Sequence, residues 1–112
     1  MTGARGHAAD LRRIEVGRST ISLRDLPATR EGAPTLVFLH EGLGSLESWR
    51  DVPQVLAAAT GCRAIVASRR GYGASSPHPG PWPPRFLEEE ALDELPRLLQ
   101  ALAIDDVILV GH

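Results

Sequence analysis

The chain contains one cysteine, one methionine, one tyrosine, two phenylalanines and no lysine. A single cysteine, Cys62, excludes an intrachain disulfide and suits a reducing compartment. Aromatic residues make up only 4% of the chain, so any core must rest on Leu, Val, Ile and Ala. No apolar run approaches the roughly 20 residues that span a bilayer. Residues 1–16 lack an apolar segment followed by a small-residue cleavage site, so no secretory signal is expected. All twelve cationic residues are Arg, which reads as a compositional bias of the source and not as a binding signal. With a formal net charge of -2, no general affinity for nucleic acid or anionic membranes follows. A soluble, cytoplasmic protein is the expectation.

What is present fits one domain. The chain has 112 residues and 43% are apolar, too many for a disordered polymer. The charge is uneven, with seven acids against one Arg in residues 86–112; a solvated acidic helix face accounts for that. Residues 1–10 are small and polar and read as a disordered tail. Leu11–Val16 and Ser19–Arg24 alternate apolar and polar residues around Gly17, the pattern of an antiparallel hairpin with one wet face. Residues 25–34 read as a loop.

From Thr35 the pattern changes. Thr35–His40, Arg63–Ala67 and Asp105–Val110 are continuously apolar stretches bounded by turn residues, as in strands buried on both faces. Between them lie two stretches of helical period. Trp49, Val52, Val55, Leu56 and Ala59 mark a helix over residues 48–60, with Pro53 near its start and Gly61 as its stop. Leu87, Ala91, Leu95, Leu98 and Leu102 mark a second, in which Pro96 predicts a kink or break. Five prolines over residues 76–84 exclude regular structure there. The order is a β-hairpin, then β-α-β-α-β, and it implies an α/β fold with a mostly parallel sheet.

Three stretches carry a family resemblance. Leu36-Val-Phe-Leu-His40-Glu-Gly42-Leu-Gly44-Ser45, with Trp49 beyond it, looks like a third strand and a His-Gly oxyanion turn. Ser68-Arg-Arg-Gly-Tyr-Gly-Ala-Ser75 is similar to an Asp-x-Arg-Gly-x-Gly-x-Ser stretch after strand four. Val107-Ile-Leu-Val-Gly111-His112 looks like strand five entering a Gly-x-Ser-x-Gly nucleophile elbow. In this order they resemble the N-terminal part of the α/β-hydrolase fold family, from about Leu11 onward. The sequence departs at Glu41, inserted into or substituted in the usual His-Gly, and at Ser68, where Asp is usual; both departures resemble one subgroup of small bacterial hydrolases of undefined substrate. The elbow Ser would be the residue after His112, and the triad acid and His would lie further on. The expectation is therefore a partial domain over residues 11–112, truncated before the nucleophile, with the C-terminal half absent.

The resemblance implies roles for particular residues. The backbone N–H of Gly42, with Leu43 second, would donate to the oxyanion of a tetrahedral intermediate; one donor already aimed at that oxygen is worth roughly 3 kcal/mol. His40 would pack under the turn and fix it by hydrogen bonds, with Gly44 as a turn residue. Gly111 would be the first small residue of the elbow, and His112 its variable residue, not the catalytic base. Ser45, Ser68 and Ser75 read as turn residues, Arg69 and Arg70 as solvated or paired, and Cys62 as inert packing. His40, Glu41 and His78 match no metal-ligand spacing, and no cofactor is expected. The implied function is a serine hydrolase acting on ester, thioester or related acyl or C–C bonds of a small-molecule substrate. The alternatives are a catalytically inactive hydrolase-like scaffold, whose fifth strand leaves an apolar edge, and a doubly wound nucleotide module with Gly42-x-Gly44 facing phosphate.

Overall fold

The fold is described from a computed structural model, over residues 11–112. The expectation of a tail over residues 1–10 lies outside the described residues. Five strands form one mixed sheet in the order β1-β2-β4-β3-β5. They are β1 (Leu11–Val16), β2 (Ser19–Leu26), β3 (Thr35–Leu39), β4 (Arg63–Ala67) and β5 (Val107–Gly111). β1, β2 and β4 pair antiparallel, whereas β3 lies parallel to both β4 and β5. The hairpin turns through Gly17, whose φ of 61° favours a residue without a Cβ.

The hairpin differs from its expected form in two ways. β2 runs two residues further than the alternation suggests, because Asp25 and Leu26 pair with Ile65 and Ala64 of β4. Three of its polar residues are also buried: Ser19, Ser22 and Arg24 sit at 2–4% exposure, while Thr20 and Asp25 are partly exposed. The loop after β4 covers β2, where Ser75 Oγ accepts the Ser22 N–H at 2.8 Å and Ser76 N–H donates to Thr20 O at 2.8 Å. Asp25 joins three chain segments: Arg63 binds it through Nε (3.0 Å) and a terminal nitrogen (2.9 Å), and Arg12 adds a contact at 2.9 Å.

Two apolar clusters cover the two faces of the sheet. On one, Leu23, Val37, Ile65 and Ala67 pack with Leu98, Leu102 and Ile104. On the other, Phe38, Ala64 and Val66 pack with Leu46, Cys62 and the half-buried Trp49 and Leu56. The alternation along β3 assigns Val37 and Phe38 to opposite faces, and both are fully buried. Truncating such a residue, as in Phe38→Ala, costs about 3–5 kcal/mol.

The first helical stretch is shorter than its period suggests. A 3-10 turn covers Leu46–Trp49, Arg50 follows with φ 51°, and only then does α1 (Val52–Thr60) begin. That break rotates the later face, so Val52 and Val55 are exposed while Pro53, Leu56 and Ala57 face the sheet. Gly61 ends α1 in the left-handed conformation, as expected. The second stretch comprises α2 (Phe86–Glu89), a π-helical turn (Glu90–Glu94) and α3 (Leu95–Ala101). Pro96 lacks the N–H that would bond Leu92 O, and its ring crowds that carbonyl. The widened turn directly before α3 relieves the clash, so the expected kink takes the form of a π-turn. Leu87, expected on the buried face, is 62% exposed.

β5 also departs from expectation. Its Ile108 and Leu109 are each 49% exposed, because β5 stands at the sheet edge and pairs only with β3 among the described residues. No helix of the described residues is long and apolar enough to cross a membrane.

Candidate active site

Parallel pairing aligns the ends of β3 and β5. Leu39 lies opposite Gly111, so the turn beginning at His40 and the residues that end β5 emerge side by side at one edge. Loops at the C-terminal ends of parallel strands are where open α/β sheets build their sites.

His40 anchors this edge. Its ring is 3% exposed and makes two hydrogen bonds: Nδ1 pairs with Glu41 O at 2.8 Å, and Nε2 accepts the Arg69 N–H at 3.0 Å. A carbonyl needs a donor, so Nδ1 carries the proton and Nε2 the lone pair. The ring thereby ties the turn after β3 to the loop after β4. Burial holds its pKa below the ordinary value of 6.5; the bond to Glu41 O opposes that shift and Arg69 adds to it. The Tyr72 ring meets it edge-on, with centroids 4.8 Å apart.

The turn closes through the Gly44 N–H, which donates to Glu41 O at 3.2 Å. Gly42 and Leu43 stand at its tip, and Leu43 is 98% exposed. Their N–H groups donate to no other described residue. The turn glycines are not equivalent. An added Cβ at Gly42 or Gly111 meets nothing within 4 Å, whereas at Gly44 it would collide with Glu41 Oε1 and Ser48 Oγ. Beneath the turn, the fully buried Ser68 accepts the Leu46 N–H through Oγ at 3.0 Å, and Ser75 Oγ donates to Ser68 O at 2.6 Å. A small hydroxyl suits this place, since Gly73 crowds Ser68 Oγ closely enough to leave no room for its own Cβ. Ser45 and Ser75 are thus held in turns, Arg69 lies over the Tyr72 ring at 5.0 Å, and Arg70 pairs with Glu94 at 3.4 Å.

The cavity at this edge, about 220 Å³, is lined by His40, Glu41, Ser48, Trp49 and His112. The His112 ring lies edge-on to Trp49, centroids 6.3 Å apart. Glu41, Ser48 and the Trp49 indole were not among the site candidates read from the chain. The signal for Glu41 was its place in the usual His-Gly; nothing local marks Ser48. Among the described residues no group of three His, Cys, Asp or Glu side chains could hold a metal ion.

The sequence model of the α/β-hydrolase fold matches residues 34–112, which takes in the whole β3-to-β5 unit. The chain belongs to the α/β-hydrolase fold family. An epoxide hydrolase 2 of Siraitia grosvenorii is 35% identical over 79 residues, 70% of this chain and 24% of that protein. An epoxide hydrolase of Caballeronia sordidicola is 32% identical over 103 residues, 91% of this chain and 30% of that protein. Among solved structures, the haloalkane dehalogenase DbeA of Bradyrhizobium elkani superposes with a TM-score of 0.72 at 29% identity, covering 91% of this chain and 32% of the dehalogenase. A Klebsiella pneumoniae structure shares the fold at a TM-score of 0.75 and 24% identity, over 95% of this chain and 34% of its own. This α/β-hydrolase chain therefore spans a third or less of the length of the relatives it matches.

Proposed function

We propose that residues 1–112 supply the oxyanion turn and the strand leading to the nucleophile of a serine hydrolase, which cleaves an ester, thioester or related acyl or C–C bond of a small molecule. The observation that carries this reading is the register of β3 against β5. It brings the end of β3, from which the turn with Gly42 and Leu43 follows, level with Gly111, where the chain would enter the elbow. Acyl transfer needs this juxtaposition, because negative charge develops on the carbonyl oxygen as the nucleophile attacks. The next residue after His112 is read as the nucleophilic Ser, and the acid and base of the triad as later residues. The protein is read as cytoplasmic.

The experiment uses the full coding product containing these residues. Hydrolysis of a p-nitrophenyl ester series is measured for the natural sequence and for Gly42→Pro and Leu43→Pro. Neither N–H donates to another described residue, so proline removes a donor without breaking a hydrogen bond among them. A fall in kcat of about 100-fold or more in one variant, with unchanged circular dichroism, is the expected result. Unchanged kcat in both variants overturns the oxyanion assignment, and no ester hydrolysis by the natural sequence overturns the serine hydrolase.

A second reading is favoured by the relatives. An epoxide hydrolase and a haloalkane dehalogenase both break a bond at saturated carbon, with negative charge appearing on a departing oxygen or halide. A carboxylate nucleophile after His112, with turnover of styrene oxide or 1-bromobutane but not of esters, would select this chemistry.

A further inference from the structure

Two polar atoms on residues that line the cavity at the ends of β3 and β5 have no partner among the described residues. Glu41 Oε1 and Trp49 Nε1 are each buried from solvent and make no hydrogen bond with any described residue. A buried acceptor or donor left unsatisfied costs about 1–3 kcal/mol. Both belong to residues that line the 220 Å³ cavity with His40, Ser48 and His112.

The position of Glu41 sharpens the point. Its carboxylate folds back over Gly44 beside Ser48, a space open only because Gly44 has no Cβ. A carboxylate next to donors that await an oxyanion opposes the charge those donors stabilise. Its contribution therefore comes from a contact elsewhere on the substrate. The Trp49 ring packs edge-on to Phe38, with centroids 5.2 Å apart, and is half-buried against the sheet.

We propose that Glu41 and Trp49 form a polar subsite for a hydroxyl on the substrate. An ammonium would satisfy the carboxylate but not the indole N–H. A carbonyl would satisfy the indole but not the carboxylate. A hydroxyl donates one hydrogen bond and accepts another, so it meets both needs. The substrate class is then a small hydroxylated molecule, for which an α-hydroxy ester serves as a simple probe. The proposal rests on the hydrolase reading, and it makes Glu41 a specificity residue, not a catalytic one.

The test reads the subsite without relying on turnover. In the full coding product, Trp49→Phe identifies the Trp49 indole resonance by its disappearance. The Trp49 indole N–H resonance is followed by nitrogen-15 NMR while ethyl glycolate, and separately ethyl acetate, is added. The expected result is a saturable shift with ethyl glycolate, at least about 5-fold weaker binding in Glu41→Gln, and no saturable shift with ethyl acetate. Equal responses to both esters, no response to either, or a glycolate response unchanged by Glu41→Gln overturns the subsite; the second of these is what a cavity filled by water or by other parts of a longer chain would give. In the full coding product the same variant should lower kcat/KM for the hydroxylated ester about 10-fold and leave the plain ester unchanged. Loss of all ester turnover with the indole response intact removes the serine hydrolase reading and leaves the hydroxyl subsite standing.

Discussion

His40 shows how much one neutral ring can hold. Its Nε2 accepts from Arg69 only while unprotonated, and its Nδ1–H holds Glu41 O. Burial keeps the folded pKa below 6.5, so the unfolded chain takes up this proton first as pH falls. The stability from the neutral ring is complete above about pH 6.5 and is lost as pH drops from there through the lowered folded value. Arg69 and Glu41 are the charged groups beside the ring. We expect the urea midpoint to fall between pH 7.5 and 5.5, and His40→Asn to be destabilised but to lose most of that pH dependence. An equally steep acid loss in His40→Asn would assign it to another group. A second test at this scale concerns Gly44, where Glu41 and Ser48 occupy the space of a Cβ. Gly44→Ala should cost about 1–2 kcal/mol, and a double-mutant cycle with Glu41→Ala should recover at least about 0.5 kcal/mol; strict additivity in urea unfolding would mean that the two residues do not share that space. The importance of Gly44 was only half legible in the chain. Its place in a Gly-rich turn is visible, whereas the side chain it accommodates comes from folding back three residues.

At the level of elements, periodicity located all five strands and both helical stretches, because burial on one or two faces leaves a direct imprint on residue order. It failed where a backbone break changes the phase. Arg50 at φ 51° separates the 3-10 turn from α1, and the apolar period runs across it unaware. The π-turn at Glu90–Glu94 has a visible cause in Pro96, and the ion pair between its Glu94 and Arg70 of the loop after β4 has no local signal in the chain. That turn also places Glu90 where burial raises its pKa above the ordinary 4.5, opposed by Arg69 and Arg70. A carboxyl with a raised folded pKa binds its proton more tightly when folded. Its effect is neutral below about pH 4.5 and becomes a stability cost as pH rises through the raised value. Glu90→Gln should therefore raise the urea midpoint at pH 7.5 and give little gain at pH 4. A drop at pH 7.5 would show that pairing with Arg69 and Arg70 outweighs burial. The variant also serves as a background for the His40 test, since the two groups act with opposite sign in the acid range.

The whole molecule is shaped by the two ends of its sheet. At β1 the outer strand is polar, with Arg12, Arg13 and Glu15 discouraging further pairing. At β5 the edge is apolar, and Ile108 and Leu109 are each half exposed on opposite faces. Sequence patterning marked β5 as a strand buried on both sides, whereas this chain covers only 24% and 30% of the two longer curated proteins it matches. The residue pattern thus records an environment that the 112 residues alone do not build. An unpaired apolar strand is a template for another strand, so the isolated 112-residue chain should self-associate through β5. Sedimentation velocity should show assemblies that grow with concentration. Ile108→Lys places a charge on that edge and should shift the population toward monomer, whereas a lysine at Val55, an exposed site on α1 away from β5, should not. A chain that stays monomeric at high concentration, or one whose association responds equally to both lysines, would show that β5 is not the contact and that the apolar edge is tolerated in water.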